Sequence, residues 1–383
     1  MMVKFWAHFF LTILLLCVAP LYGDEKPKAP EPKTAPLYKS TYRIIDIHAH
    51  SALPSAAAVR AHLEVLDRVG VHACNVLLFD PEGWPYPGGW SEANLFAWLE
   101  LRKKYPDRLH VFGTVDFNRA AREPSFFAEI VTELERAASR GMQGVKIWKN
   151  LGMIHKDTSG KLLRVDDTRL DPFWKACGRL GIPVLIHTAD PKEYWYPKSF
   201  NTFQFEWPST GLYYKHATVP KWEDLIEQRN RVLKKHPRTN FIGAHHASLS
   251  DDLDELARTL DEYPNLTVDC SARMRFMYRY HPRAVRDFHI KYQDRILFGS
   301  DNFIVRDPKT LEDAKALRKW QERNAAFYSR YLEYYETDHV GLLEAYGTYS
   351  EWMRLTGVKL PPEVLEKFYH ANAERLVPGL KKP

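Results

Sequence analysis

From Thr41 onward the chain alternates short apolar runs rich in β-branched residues with longer segments whose apolar positions recur at helical spacing. The short runs predict eight strands, at 43–47, 73–79, 109–115, 144–148, 184–186, 241–244, 266–269 and 296–298. Helices are predicted between them at 56–69, 91–104, 124–139, 170–180, 222–235, 250–263 and 282–291, with a closing helix at 364–376. Several strands are continuously apolar, as in Val184-Leu185-Ile186, which suits a parallel sheet covered on one side by helices and filled on the other. Repeated β/α units of this kind form either a closed barrel or an open doubly wound sheet. No Gly-rich phosphate loop follows any strand, which disfavours the dinucleotide-binding form of the open sheet. The expected fold is α/β, a (β/α)8 TIM barrel.

Two stretches exceed a plain connection. Residues 190–220, between strands five and six, carry Tyr194, Trp195, Tyr196, Phe200, Phe203, Phe205, Trp207, Tyr213 and Tyr214, and a loop of that length is expected to be functional or structured. Residues 308–356 contain Trp320-Gln321-Glu322-Arg323-Asn324-Ala325-Ala326-Phe327-Tyr328 and predict one or two additional helices near the C-terminus.

The N-terminus has a different pattern. Lys4 precedes an apolar centre from Leu11 to Val18 and a small Gly23, the pattern of a signal peptide over 1–23; His8 and Pro20 interrupt it too much for a retained anchor. Residues 24–40, with Lys26-Pro27-Lys28-Ala29-Pro30, predict a Pro/Lys-rich linker. That leaves 41–383 as one barrel domain, expected to be exported to a periplasm or secreted, with no stable membrane span after cleavage. Cys74, Cys177 and Cys270 then remain, widely spaced in apolar surroundings, and are expected as buried free thiols. With 45% hydrophobic residues, the 383-residue chain can bury a large core, and its net charge of +6 is interleaved with acidic runs such as Asp251-Asp252-Leu253-Asp254-Glu255, so no nucleic-acid footprint is expected.

In such a barrel, chemistry gathers at the C-terminal ends of the strands. His48 and His50 lie just past strand one, two residues apart and therefore on one side of an extended segment. His187 ends strand five, His245 ends strand six and Asp301 follows strand eight. Singly, a histidine here reads as a hydrogen-bonded core residue and Asp301 as a helix cap or turn. Together, His48, His50, His187 and Asp301 make a first shell for one divalent metal with a position open to water, and His245 is left as an extra polar group beside it. Lys146 at strand four is a charged pocket residue or a strand-end ion-pair partner. Arg273 and Arg275, after strand seven, are candidates for gripping a substrate carboxylate, or else surface arginines. Trp148, Tyr194, Trp195 and Trp207 are candidate walls.

Asp46-Ile47-His48-Ala49-His50, His187, Gly243-Ala244-His245, Gly299-Ser300-Asp301 and Asn372-Ala373-Glu374-Arg375-Leu376 together resemble the amidohydrolase superfamily, in its amidohydrolase-2 branch, over about 43–380. The resemblance implies a (β/α)8 barrel with one divalent metal on His48, His50, His187 and Asp301, and with His245 facing the substrate. Members include hydrolases, lactonases, hydratases and nonoxidative decarboxylases. Some relatives bridge two metals through a carbamylated lysine at strand four, so a second ion is expected only if Lys146 is so modified. The expected activity is that of an exported metal-dependent hydrolase acting on an ester, lactone or amide of a small molecule. Asp301 would take the proton of the attacking water and His245 would stabilise the developing oxyanion. A carboxy-lyase on the same metal is the alternative enzyme, and a noncatalytic ligand-binding barrel the alternative of another class. The metal is expected to be zinc, with manganese or iron also suited, and a homo-oligomer is compatible with the sequence.

Overall fold

The structure, a computed structural model, describes residues 36–51, 54–78, 91–197, 218–305, 307–343 and 354–380. The chain separates into units Met1–Pro36 and Leu37–Pro383. Of the first, only Pro36 is described, so the signal peptide and most of the linker lie outside the described residues. The last residues expected in the linker do not: Tyr38 N donates to Ser329 Oγ (2.7 Å) and Ser40 N to Val69 O (3.1 Å), so residues 37–40 belong to the second unit.

Nine parallel strands form one sheet in the order β8-β7-β6-β5-β4-β3-β2-β1-β9. They are β1 (Ile45–Ser51), β2 (Ala73–Leu78), β3 (Leu109–Gly113), β4 (Gly144–Ile147), β5 (Val184–Ile186), β6 (Phe241–Gly243), β7 (Leu266–Asp269), β8 (Ile296–Leu297) and β9 (Asn302–Phe303). The last two are halves of a single barrel strand. β8 pairs with β7, and β9 pairs with β1. Between them Ile47 N donates to Phe298 O (3.0 Å) and Asp301 N to His48 O (2.7 Å), which closes the (β/α)8 barrel. Strand eight breaks where it passes the site. Gly299 leaves room for His48, whose Cβ would lie 2.9 Å from a Cβ added there, and Asp301 takes φ +64°.

Helices α1 (Ala56–Val69), α2 (Glu92–Lys104), α3 (Phe126–Ser139), α4 (Asp171–Leu180), α5 (Trp222–Lys235), α6 (Leu253–Glu262) and α7 (Pro282–Lys291) lie within a residue or three of the periodicity that predicts them. The added C-terminal segment is a single helical turn at Lys309–Glu312 and a long helix, α8 (Ala314–Glu336), followed by an antiparallel pair, β10 (Val340–Leu343) and β11 (Arg354–Thr356), where only helices were expected. The closing helix runs from Pro362 to Leu376 through a π turn at Lys367–Ala371. Its last residues plug the barrel floor: Ala373, Val377 and Leu380 join Ile45, Ile47, Leu77, Phe112, Leu185, Ile242 and Leu297 in one inner core. A larger core lies between the sheet and the helices, and its buried free thiols include Cys74, Cys177 and Cys270. Among the described residues no helix is long and apolar enough to cross a membrane.

Candidate metal centre

A bulge in β1 sets the direction of its two histidines. The register against β2 shifts between Asp46 and Ala49. Before it, Ile45 and Ile47 belong to the inner core; after it, Ala49 belongs to the outer one. Side chains alternate along a strand, so without the extra residue His48 would face outward; the bulge returns it to the inside together with His50. Both histidines therefore sit within β1, not past its end as the sequence suggested. Asp46, facing out, locks this arrangement: its carboxylate accepts from His48 N (3.0 Å), Ser300 N (3.0 Å), Ser300 Oγ and, from α8, Tyr328 OH (2.7 Å).

His48 Nε2, His50 Nε2 and Asp301 Oδ1 converge, at 3.2 Å between the imidazoles, 2.9 Å from His50 to Asp301 and 3.4 Å from His48 to Asp301. His48 Nδ1 lies 2.8 Å from Asp269 Oδ2 and donates to it, which turns Nε2 towards His50 and Asp301. Burial pulls His50 down to about 4, so it is neutral near pH 7 and brings one proton for two nitrogens. Burial alone would raise the Asp301 carboxyl, but the hydrogen bond from His50 and the positive charge around it hold it well below the usual range. Two converging imidazole nitrogens and an ionised carboxylate are the donor set of a borderline divalent ion.

His187 stands one imidazole away, its ring 4.5 Å from that of His245, which in turn is 4.8 Å from His48. Its buried Nε2 has no hydrogen bond, with Asp190 Oδ1 3.4 Å away. His245 Nδ1 faces the Ser271 carbonyl (2.9 Å) and the Ser271 hydroxyl (2.8 Å). A carbonyl only accepts, so Nδ1 carries the proton and Nε2 the lone pair. Burial, with Arg273 nearby, pushes His245 well below its ordinary value. Neutral His245 therefore presents a lone pair at Nε2, where the sequence suggested a group that stabilises an oxyanion. Ser271 also donates to Asp269 Oδ1 (2.5 Å), and Asp269 accepts from His245 N (2.9 Å), so a single carboxylate orients both histidines. Burial alone would raise Asp269, but His48 and Ser271 hold it well below the usual range.

Cations surround this set. Lys146 is fully buried, with Nζ 3.5 Å from His48 Nε2 and 4.9 Å from the Trp148 ring centre. Burial lowers it to about 8 against the pull of Asp269 and Asp301. Arg273 is 6% exposed; it donates to Ala272 O (3.2 Å), lies 5.3 Å from the Phe276 ring centre, leaves Nε without a hydrogen bond and pairs with no carboxylate among the described residues. Arg275 is buried beside it, so neither arginine is the surface residue one reading allowed. Trp148 lines the site, its ring 5.1 Å from His50. Trp195 instead donates to Pro220 O (2.9 Å) and packs on the outer core. Trp207 and the other aromatic residues at 200–214 lie outside the described residues. Sequence reasoning missed Asp46, Asp269 and Ser271. Asp269 also ends a strand, so the positional argument that found His187 applies to it equally.

Backbone strain marks the same rim. Ala189, His245 to Ser248, Ala272 and Asp301, which follow β5, β6, β7 and β8, all have positive φ without being glycine. Such conformations persist where the surroundings over-determine them, and they cluster at functional sites.

No curated protein gives a significant match. Among solved structures, the chain is similar to 4-oxalomesaconate hydratase from Rhodopseudomonas palustris (14% identity, TM-score 0.50, covering 88% of this chain and 96% of that one). It is also similar to 2,6-dihydroxybenzoate decarboxylase (15%, TM-score 0.48, 88% and 99%) and to 5-carboxyvanillate decarboxylase from Sphingomonas paucimobilis (13%, TM-score 0.48, 88% and 99%). At these identities the likeness concerns the fold. The amidohydrolase-2 family profile matches residues 45–379, from the first strand to the barrel's plug, and includes His48, His50, His187, His245 and Asp301. By that match, over a barrel whose mouth gathers a His-His-Asp set, the chain belongs to the amidohydrolase family.

Proposed function

We propose that this chain is an exported enzyme that uses one divalent ion, zinc in the first instance, to hydrolyse a C-O or C-N bond of a small carboxylated molecule. The convergence of His48 Nε2, His50 Nε2 and Asp301 Oδ1 within 3.4 Å of one another carries the reading. His187 completes the ligand set in it. A bound ion would supply Lewis acidity and an acidified water. Asp301 is the most open of the three, its side chain 25% exposed, so it meets incoming water and accepts its proton, which it then delivers to the leaving group. His245 Nε2 accepts a hydrogen bond or a proton from the same water or from the substrate. Arg273, a buried guanidinium with no ion pair among the described residues, takes a substrate carboxylate in its planar fork, with Arg275 beside it and Trp148 along the wall. Lys146 adds positive charge and stays unmodified in this reading.

Arg273 also favours a second reading, nonoxidative decarboxylation, because a carboxylate held there beside the ion could itself leave as carbon dioxide. Zinc-loaded protein offered carboxylated esters, lactones and amides, and in parallel aromatic carboxylates, separates the two. Hydrolysis products without carbon dioxide are expected. Carbon dioxide release without hydrolysis would overturn the hydrolase reading in favour of the lyase. Export predicts a mature N-terminus at Asp24, and a mature chain that still begins at Met1 contradicts it.

A further inference from the structure

A backbone conformation that L-residues avoid delivers His245 to the mouth. Four successive residues, His245, His246, Ala247 and Ser248, hold φ of 59°, 54°, 52° and 60°. They form one left-handed turn, closed by Ser248 N to His245 O (3.1 Å) and Leu249 N to His246 O (3.0 Å). In such a turn each Cβ crowds the following carbonyl, so something outside must hold it. Gly243 supplies the space, since a Cβ added there would lie 2.6 Å from Ala247 Cβ. Asp269 holds the first amide, Ser250 Oγ donates to His245 O (3.1 Å), and Ser248 Oγ donates to Ala189 O (2.9 Å).

The remaining hold comes from behind the barrel. Arg229, on α5, is 1% exposed and pairs with no carboxylate among the described residues. Its Nη1 donates to Ala247 O (2.5 Å), while Nε and Nη2 donate to Asn230 Oδ1 (3.1 and 2.9 Å). A buried guanidinium without a counter-ion is costly, and here its fork spans a neighbouring amide and the carbonyl of the strained turn.

We propose that Arg229 is a positioning residue: by holding the Ala247 carbonyl it maintains the left-handed turn and thereby aims His245 Nε2 into the site. The catalytic importance of that aim rests on His245 meeting substrate, as the proposed function has it, but the geometry is the same for hydrolysis and decarboxylation. The test reads the imidazole nitrogen-15 shifts of His245 in zinc-loaded, histidine-labelled protein without substrate, with the signal identified by its loss in His245→Gln, so it is blind to which reaction occurs. Wild type is expected to show neutral His245 protonated at Nδ1. Arg229→Met is expected to lose that pattern at unchanged zinc content, and Arg229→Met/Ala247→Gly to regain it, because Ala247→Gly removes the Cβ that strains the turn. An unchanged pattern in Arg229→Met, or no recovery in the double variant, overturns the proposal. Should Arg229→Met not fold, the double variant decides: folded with the wild-type pattern supports the proposal, and unfolded overturns it.

Discussion

Asp269 meets His48 at Nδ1, away from the Nε2 that faces His50 and Asp301, yet it determines which nitrogens point into that set. It takes the proton of His48 Nδ1 and, through Ser271 and the His245 amide, fixes the neighbouring imidazole. In Asp269→Asn the new amide can still accept from one partner, but its NH2 group faces donors, and His48 is freed to carry its proton on Nε2. Metal affinity should fall by about 10–100-fold, the usual effect of losing such a supporting carboxylate, and competitive chelator titration measures it. Wild-type affinity in this variant would remove Asp269 from the account. At this scale the sequence was partly legible. His48, His50, His187, His245 and Asp301 stand at strand ends that apolar patterning locates. The hydrogen bonds among Asp46, Ser300 and Tyr328 join residues up to 282 positions apart and leave no local pattern to read. Nor does a strand-end position reveal which nitrogen of His245 bears the proton, because that depends on the Ser271 carbonyl at the neighbouring strand end.

The α1–α8 contact shows what helical periodicity reveals and what it hides. Apolar spacing predicts α1 to the residue, but it does not show that His62 on its buried face meets Trp320 and Tyr328 of the added helix, with ring centres 6.2 and 6.1 Å away. His62 is fully buried and neither ring nitrogen has a hydrogen bond. Burial holds it down to about 3. Because the folded value lies below the unfolded value near 6.5, the unfolded chain binds a proton that the folded chain refuses as pH falls from 6.5 towards 3, and stability is lost over that window. At pH 5 this amounts to about 2 kcal/mol relative to neutral pH. His62→Leu removes that loss, so its urea-derived stability relative to wild type should improve by about this amount between pH 7 and pH 5. Parallel profiles would contradict it. The interruption of strand eight was equally illegible: 296–298 reads as an ordinary strand end, and only the close approach of Gly299 to His48 explains the break before pairing resumes at Asn302.

For the whole molecule, barrel closure turns separate strand ends into one rim. The plug of Ala373, Val377 and Leu380 fills the floor, and Lys146, His187, His245, Asp269 and Asp301, all with perturbed values, gather at the other end. This asymmetry is what the repeated strand and helix pattern implies, and it is why the family was legible at all. The reaction is less legible, because it depends on the loops above the rim. The central claim, that this rim holds one divalent ion on His48, His50 and Asp301, is tested most directly by elemental analysis of purified wild type, His48→Ala and Asp301→Asn after equal loading and desalting. The account predicts one zinc per chain in wild type and its loss in both variants. Equal metal content in all three proteins would contradict it.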